Sequence, residues 1–123
     1  STHFVQYGAL AALSPEGEAF RGQLLARCRA GREVVENWIT EQNRIRWFKP
    51  EGAFYGFLHV DGLEDSLGFC QRMVKDPKVG IAPGFAFSLG DPRDDSYLRI
   101  CFAQDQARLA EGLGRLESAI KNL

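Results

Sequence analysis

The chain has 123 residues, 45% of them hydrophobic and 25% charged, with 15 basic and 16 acidic side chains for a formal net charge of −1. That composition describes one globular domain able to bury a core, not a disordered chain. Interspersed charge of near-zero sum leaves no basic face for nucleic acid. No apolar run reaches the length of a membrane span, and the first residues lack the charged-then-apolar order of a secretory leader.

Three cysteines, Cys28, Cys70 and Cys101, come with no C-x-x-C or Cys/His pair, so neither a disulfide framework nor a zinc site fits. Cys28 and Cys70 fall on apolar helix faces and read as small buried hydrophobes in a reducing, cytoplasmic compartment. The sequence starts at Ser1 and its only methionine is Met73, which leads to the expectation that it is a piece of a longer protein.

In chain order, residues 1–13 are Ala-rich with helix-like spacing at Phe4, Gly8, Ala11 and Ala12. Ser14 is then a cap, Pro15 suits the first helical position, and Glu16 and Glu18 sit near the positive end of the helix dipole. The following helix is predicted to run to about Gln42, with Phe20, Leu24, Cys28, Gly31, Val35 and Trp38 on one stripe. Such a helix is about 40 Å long, long for a domain this small.

Residues 45–48 read as a short strand and 53–60 as an aromatic-rich strand whose Gly56 marks a bulge or a close approach. A helix is predicted from a capping-box-like Asp61 and Glu64, with Leu63, Leu67, Cys70 and Val74 on one face and a stop before Pro77. Residues 78–83 form a brief strand, and a loop rich in Gly, Pro and Asp follows. Residues 97–103, YLRICFA, form the next strand, and a last helix from about Asp105 aligns Leu109, Leu113, Leu116, Ile120 and Leu123. Helices on one face of a small, mostly antiparallel sheet bury these stripes most economically, so the fold is predicted to be an α+β two-layer sandwich preceded by a long helix.

The two-residue strand period sends Leu98, Ile100 and Phe102 to the helices and Tyr97, Arg99, Cys101 and Ala103 to the other face. A guanidinium cannot shed its charge by losing a proton, so Arg99 needs an anion or water. Three readings stay open: an ion pair with Asp94 or Asp95, exposure at a strand edge, or capture of a carboxylate or phosphate by its planar fork of donors. Other chemistry is weakly represented. His3 and His59 have no triad partners, and His59 reads as structural. GDPRDDS lacks the second glycine and the lysine of a phosphate loop. The Asp91, Asp94, Asp95 cluster does not match calcium-loop spacing, which leaves a solvated acidic loop.

Three motifs stand in order: FKPEGAFYGFLHVDG with its P-x-G-x-F, VGIAPGFAF with its V-x-x-x-P-G, and YLRICFA followed by an amphipathic helix. Together they resemble the C-terminal small domain of fold-type I, class I/II aminotransferases, the aspartate aminotransferase-like group. The resemblance covers essentially the whole chain. It implies that Arg99 holds the substrate α-carboxylate, that Phe54 lies near the substrate, and that Pro83 and Gly84 turn the backbone at the cleft entrance. It also implies that residues 1–13 return from a large domain while 14–123 are the small domain, in an enzyme that dimerises with its own copy. Pyridoxal phosphate would be the electron sink for transamination between an amino acid and a 2-oxo acid. Its lysine and phosphate-binding groups belong to the large domain. Lys49, Lys75, Lys78 and Lys121 match no such motif, so this piece alone is expected to bind no cofactor covalently and to catalyse nothing. A stand-alone α+β module that binds an amino acid or organic acid, and a plain interaction domain docking through the Tyr97/Arg99 face, are the competing expectations.

Overall fold

The computed structural model describes residues 2–87, 91 and 95–123. Helix α1 (His3–Ala12) leads through Ser14 into α2 (Pro15–Thr40). The Ser14 hydroxyl accepts from the Gly17 amide at 3.2 Å, with Pro15 in the first turn. Strands β1 (Ile45–Trp47) and β2 (Tyr55–Val60) follow, then α3 (Ser66–Lys75), β3 (Ala82–Pro83), a 3-10 turn (Gly84–Phe87), β4 (Tyr97–Cys101) and α4 (Gln106–Ile120). The strands form one antiparallel sheet in the order β1-β2-β4-β3.

Leu58 and Val60 of β2, Leu98 and Ile100 of β4, and Phe102 just beyond it point into a single core. They meet Val35 of α2, Phe69, Cys70 and Met73 of α3, and Leu109, Leu113, Leu116 and Ile120 of α4. The α+β two-layer sandwich predicted from the sequence is therefore the observed fold, with α2, α3 and α4 on one side of the sheet. Two glycines mark close approaches, one within the sheet and one between the layers. Gly56 lies under Trp47: a β-carbon there would stand 2.8 Å from the indole. That space lets Trp47 cross β2 and meet Phe102 edge-on, with ring centroids 6.5 Å apart. Gly56 is thus a close approach and not a bulge. Gly31 brings α2 onto the backbone of Phe102 in the same way.

Three expectations need correction. Helix α3 begins at Ser66, capped by the Asp65 carboxylate on the Gly68 amide at 2.8 Å, and not by an Asp61/Glu64 box. Asp61 is engaged elsewhere: its carboxylate pairs with Arg46 at 2.6 Å, and its carbonyl accepts from the Arg44 guanidinium. The face turned to the core also differs from the predicted one: Phe69, Cys70 and Met73 are buried while Leu67 and Val74 face solvent. The brief strand at 78–83 shrinks to Ala82–Pro83. Only the C-terminal half of the α2 stripe is used. Gly31 and Val35 are buried, whereas Phe20 is 62% exposed and no residue of α1 is buried.

Cys70 is buried, and desolvation, helped by the Asp65 carboxylate, pushes its thiol up to about 11. The thiolate is the reactive form, so thiol reagents at pH 8 are expected to modify the half-buried Cys28 and Cys101 well before Cys70. The same shift makes stability fall as pH rises from the ordinary value of 9.0 toward 11. In that window the unfolded chain releases the proton while the folded chain keeps it. Mass-spectrometric labelling checks the first expectation and a pH series of urea midpoints the second. Early modification of Cys70 in the folded protein would contradict both.

Candidate functional site

Arg99 occupies the middle of β4, an inner strand with β2 on one side and β3 on the other. It stands opposite Phe57 of β2 and Ala82 of β3, on the sheet face away from the helices. Exposure at a strand edge is therefore excluded. Asp95, one anion the sequence offered, is committed to the α3 N-terminus: its Oδ1 accepts from the Ser66 hydroxyl at 2.7 Å and from the Ser66 amide at 3.2 Å. Asp94 lies outside the described residues. Among the described residues no carboxylate pairs with Arg99 and no hydrogen bond satisfies its fork.

Aromatic rings surround it instead. The Arg99 Cζ is 4.3 Å from the Tyr55 ring centroid and 4.1 Å from that of Phe87. Phe57 meets Phe87 edge-on at 6.0 Å and stacks on Tyr97 at 5.4 Å, and Tyr97 meets His59 at 5.0 Å. Phe54 touches the cluster at its end, 4.5 Å from Tyr55. Among the described residues Phe54 is joined to this cluster only by Tyr55, its neighbour in sequence, and no contact joins it to Arg99. Tyr55, Phe57 and Phe87 are 41%, 37% and 48% exposed, a contiguous aromatic surface around a cation.

Local chemistry explains the placement. Strand alternation aims Tyr55, Phe57, His59, Tyr97 and Arg99 outward together. Pro83 pairs with Leu98, Gly84 is buried, and the 3-10 turn they start carries Phe87 over Arg99. His59 has the structural role predicted for it: its Nδ1 lies 3.3 Å from both Arg46 and Asp61. The strand period puts Tyr55, Phe57 and His59 on one face of their strand, but only the β2–β4 register sets that face beside Arg99, and Phe87, in a loop without periodicity, carried no sequence signal of its partner.

The cofactor that the resemblance implies finds no cradle on this face. Lys49 pairs with Glu36 and Lys121 with Glu117, Lys78 donates to the Lys75 carbonyl, and Lys75 is exposed on α3. No described lysine stands with Arg99, so the residues present do not fit the attachment of pyridoxal phosphate. Among the described residues no group of three or more His, Cys, Asp or Glu could hold a metal ion, and no helix is long and apolar enough to cross a membrane. A cleft of about 410 Å³ lies elsewhere, between α4 and residues 78–81.

Helices on one side and an open, cation-bearing face on the other define the class: a small two-layer α+β domain. Its relatives are consistent. The probable aspartate/prephenate aminotransferase of Aquifex aeolicus is 31% identical over 127 residues, which take in 99% of this chain and 31% of that protein. The valine–pyruvate aminotransferase of Mycobacterium tuberculosis is 33% identical over 114 residues, 92% of this chain and 29% of that one. A crystal structure of an aminotransferase from Mycobacterium tuberculosis matches with a TM-score of 0.83 at 31% identity, covering 94% of this chain and 30% of that one. No protein-family model matches. Sequence and fold together identify the chain with the C-terminal small domain of the fold-type I aminotransferases. It spans about a third of the length of the curated relatives it matches.

Proposed function

We propose that this chain is the small domain of a pyridoxal-phosphate-dependent aminotransferase, and that Arg99 binds the α-carboxylate of the amino acid and of the 2-oxo acid. The observation that carries this reading is the Arg99 guanidinium itself. It sits on an inner strand, faces the side no helix covers, and has no carboxylate partner among the described residues. Relatives named for aspartate/prephenate and valine–pyruvate chemistry support the reaction class.

Arg99 acts by position. Its two parallel N–H donors fix a carboxylate in one plane, which sets the direction of the bonds at the adjoining α-carbon. Phe54, at the end of the aromatic cluster, stands beside the substrate's side chain. Residues 14–123 are the small domain proper. Residues 1–13 and the N-terminal half of α2 lie against the large domain, which accounts for Phe4, Tyr7, Leu10, Phe20 and Leu24 left exposed on short and long helix alike. That large domain holds pyridoxal phosphate, the enzyme works as a homodimer in the cytoplasm, and closure of the small domain excludes water from the carboxylate pair.

Arg99→Lys in the enzyme that carries this chain tests the reading. Lysine keeps the charge but not the planar fork. Loss of one charge-assisted hydrogen bond should lower kcat/KM by roughly 1.5–3 kcal/mol for both substrates, with pyridoxal phosphate still bound. An Arg99→Lys enzyme with wild-type kcat/KM overturns it.

A further inference from the structure

We propose that Tyr55 and Phe87 are positioning residues that clamp the Arg99 guanidinium and so set the direction in which it presents its donors. The inference rests on the reading of Arg99 as the carboxylate anchor and concerns what makes that anchor effective. The two rings come from different parts of the fold. Tyr55 opens β2, two residue pairs along the sheet from Arg99 and so on the same face: Tyr55 faces Cys101 while Phe57 faces Arg99. Phe87 ends the 3-10 turn that Pro83 and Gly84 begin. Both ring centroids lie little more than 4 Å from Cζ, at 4.3 and 4.1 Å, well inside cation–π range.

The geometry suits a planar cation. All five guanidinium N–H groups point outward in the plane, so rings that cover its faces leave the donors free. A long side chain on an open sheet face would otherwise sample many rotamers, and a carboxylate would have to order it on arrival. Here the ordering is done in the fold. Phe87 is itself held by the edge of Phe57, which stacks on Tyr97, so the loop-borne ring is buttressed by the sheet.

The test is a mutant cycle in the enzyme that carries this chain. Tyr55→Leu and Phe87→Leu remove a ring while keeping an apolar side chain at partly exposed positions. Each should raise KM for amino acid and 2-oxo acid by about fivefold, and the pair together by about twentyfold, with a smaller change in kcat. Tyr55→Phe should restore binding relative to Tyr55→Leu. In an Arg99→Ala background the leucine substitutions should cost nothing further, because their effect passes through Arg99. A second readout is the Arg99 Nε–H proton resonance, displaced by ring currents in the wild type and returned toward the ordinary position in either leucine variant. The clamp is overturned by an undisplaced wild-type resonance, by wild-type KM in the double leucine variant, or by equal leucine costs with and without Arg99. Wild-type KM in Arg99→Ala would instead remove the carboxylate reading on which the clamp depends.

Discussion

Arg99→Ala, made in the enzyme that carries this domain, is expected to weaken binding of both amino acid and 2-oxo acid by roughly 2–5 kcal/mol, with the fold intact. The magnitude follows from truncating one partner of a desolvated, hydrogen-bonded charge pair, which leaves the carboxylate buried without its counterion. It corresponds to about a 30- to 4,000-fold loss. The fold should tolerate the change because Arg99 belongs to no ion pair or hydrogen bond among the described residues, and its side chain lies outside the core. Steady-state kinetics with a thermal melt as control separate the two effects.

Gly31→Ala carries the largest expected effect on stability. In an exposed helix interior, glycine to alanine gains up to about 1 kcal/mol. At Gly31 the new β-carbon would lie 1.9 Å from the Phe102 carbonyl oxygen and 3.6 Å from a Leu109 methyl. The obstacle is backbone, fixed by the Phe102 amide bonding to the Phe54 carbonyl at 2.9 Å, so relief requires α2 to move off the sheet. Overpacking of that kind costs about 1–3 kcal/mol and sometimes more. A net destabilisation of about 2 kcal/mol, or about 8 °C in Tm, is expected. Gly114 is the internal control: it is exposed on α4 with nothing within 4 Å of its β-carbon position. Gly114→Ala should therefore stabilise. Opposite signs for the two variants in urea titrations support the close approach, and equal signs contradict it.

How far the sequence revealed this protein depended on whether the signal was local. Alternation in YLRICFA sufficed to send Arg99 away from the core, because a strand has only two faces. The α4 stripe was read correctly because its whole 3.6-period face packs on the core, although Leu123 proved to lie past the helix end at Ile120 and 44% exposed. The α3 start was misread because Asp61 and Asp65 are equally plausible caps by residue type. The choice among them was made by distant groups: Arg44 and Arg46 claim Asp61, and Asp95 anchors Ser66. Helical periodicity in α2 reported an apolar stripe without reporting what covers each part of it. Its two ends therefore looked alike although only Gly31 and Val35 are buried.

The site was legible in part. Strand parity supplied the cation and its face, while a carboxylate as its ligand is only what the resemblance implies. The Asp95 alternative was removed only by seeing Asp95 bound to Ser66. The contact of Phe87 with Arg99 depends on a turn between nonadjacent segments, which no periodicity encodes. A free-standing acid-binding module finds no support among the relatives, which are aminotransferases about three times as long.

The claim that Arg99 binds a carboxylate is tested most directly by offering the enzyme an amino-acid substrate and its methyl ester, which keeps the side chain and removes the negative charge. The wild-type enzyme is expected to favour the acid by at least tenfold in kcat/KM, and Arg99→Ala is expected to bring that ratio close to one. The same acid-to-ester preference in both enzymes would contradict the assignment of the carboxylate to Arg99.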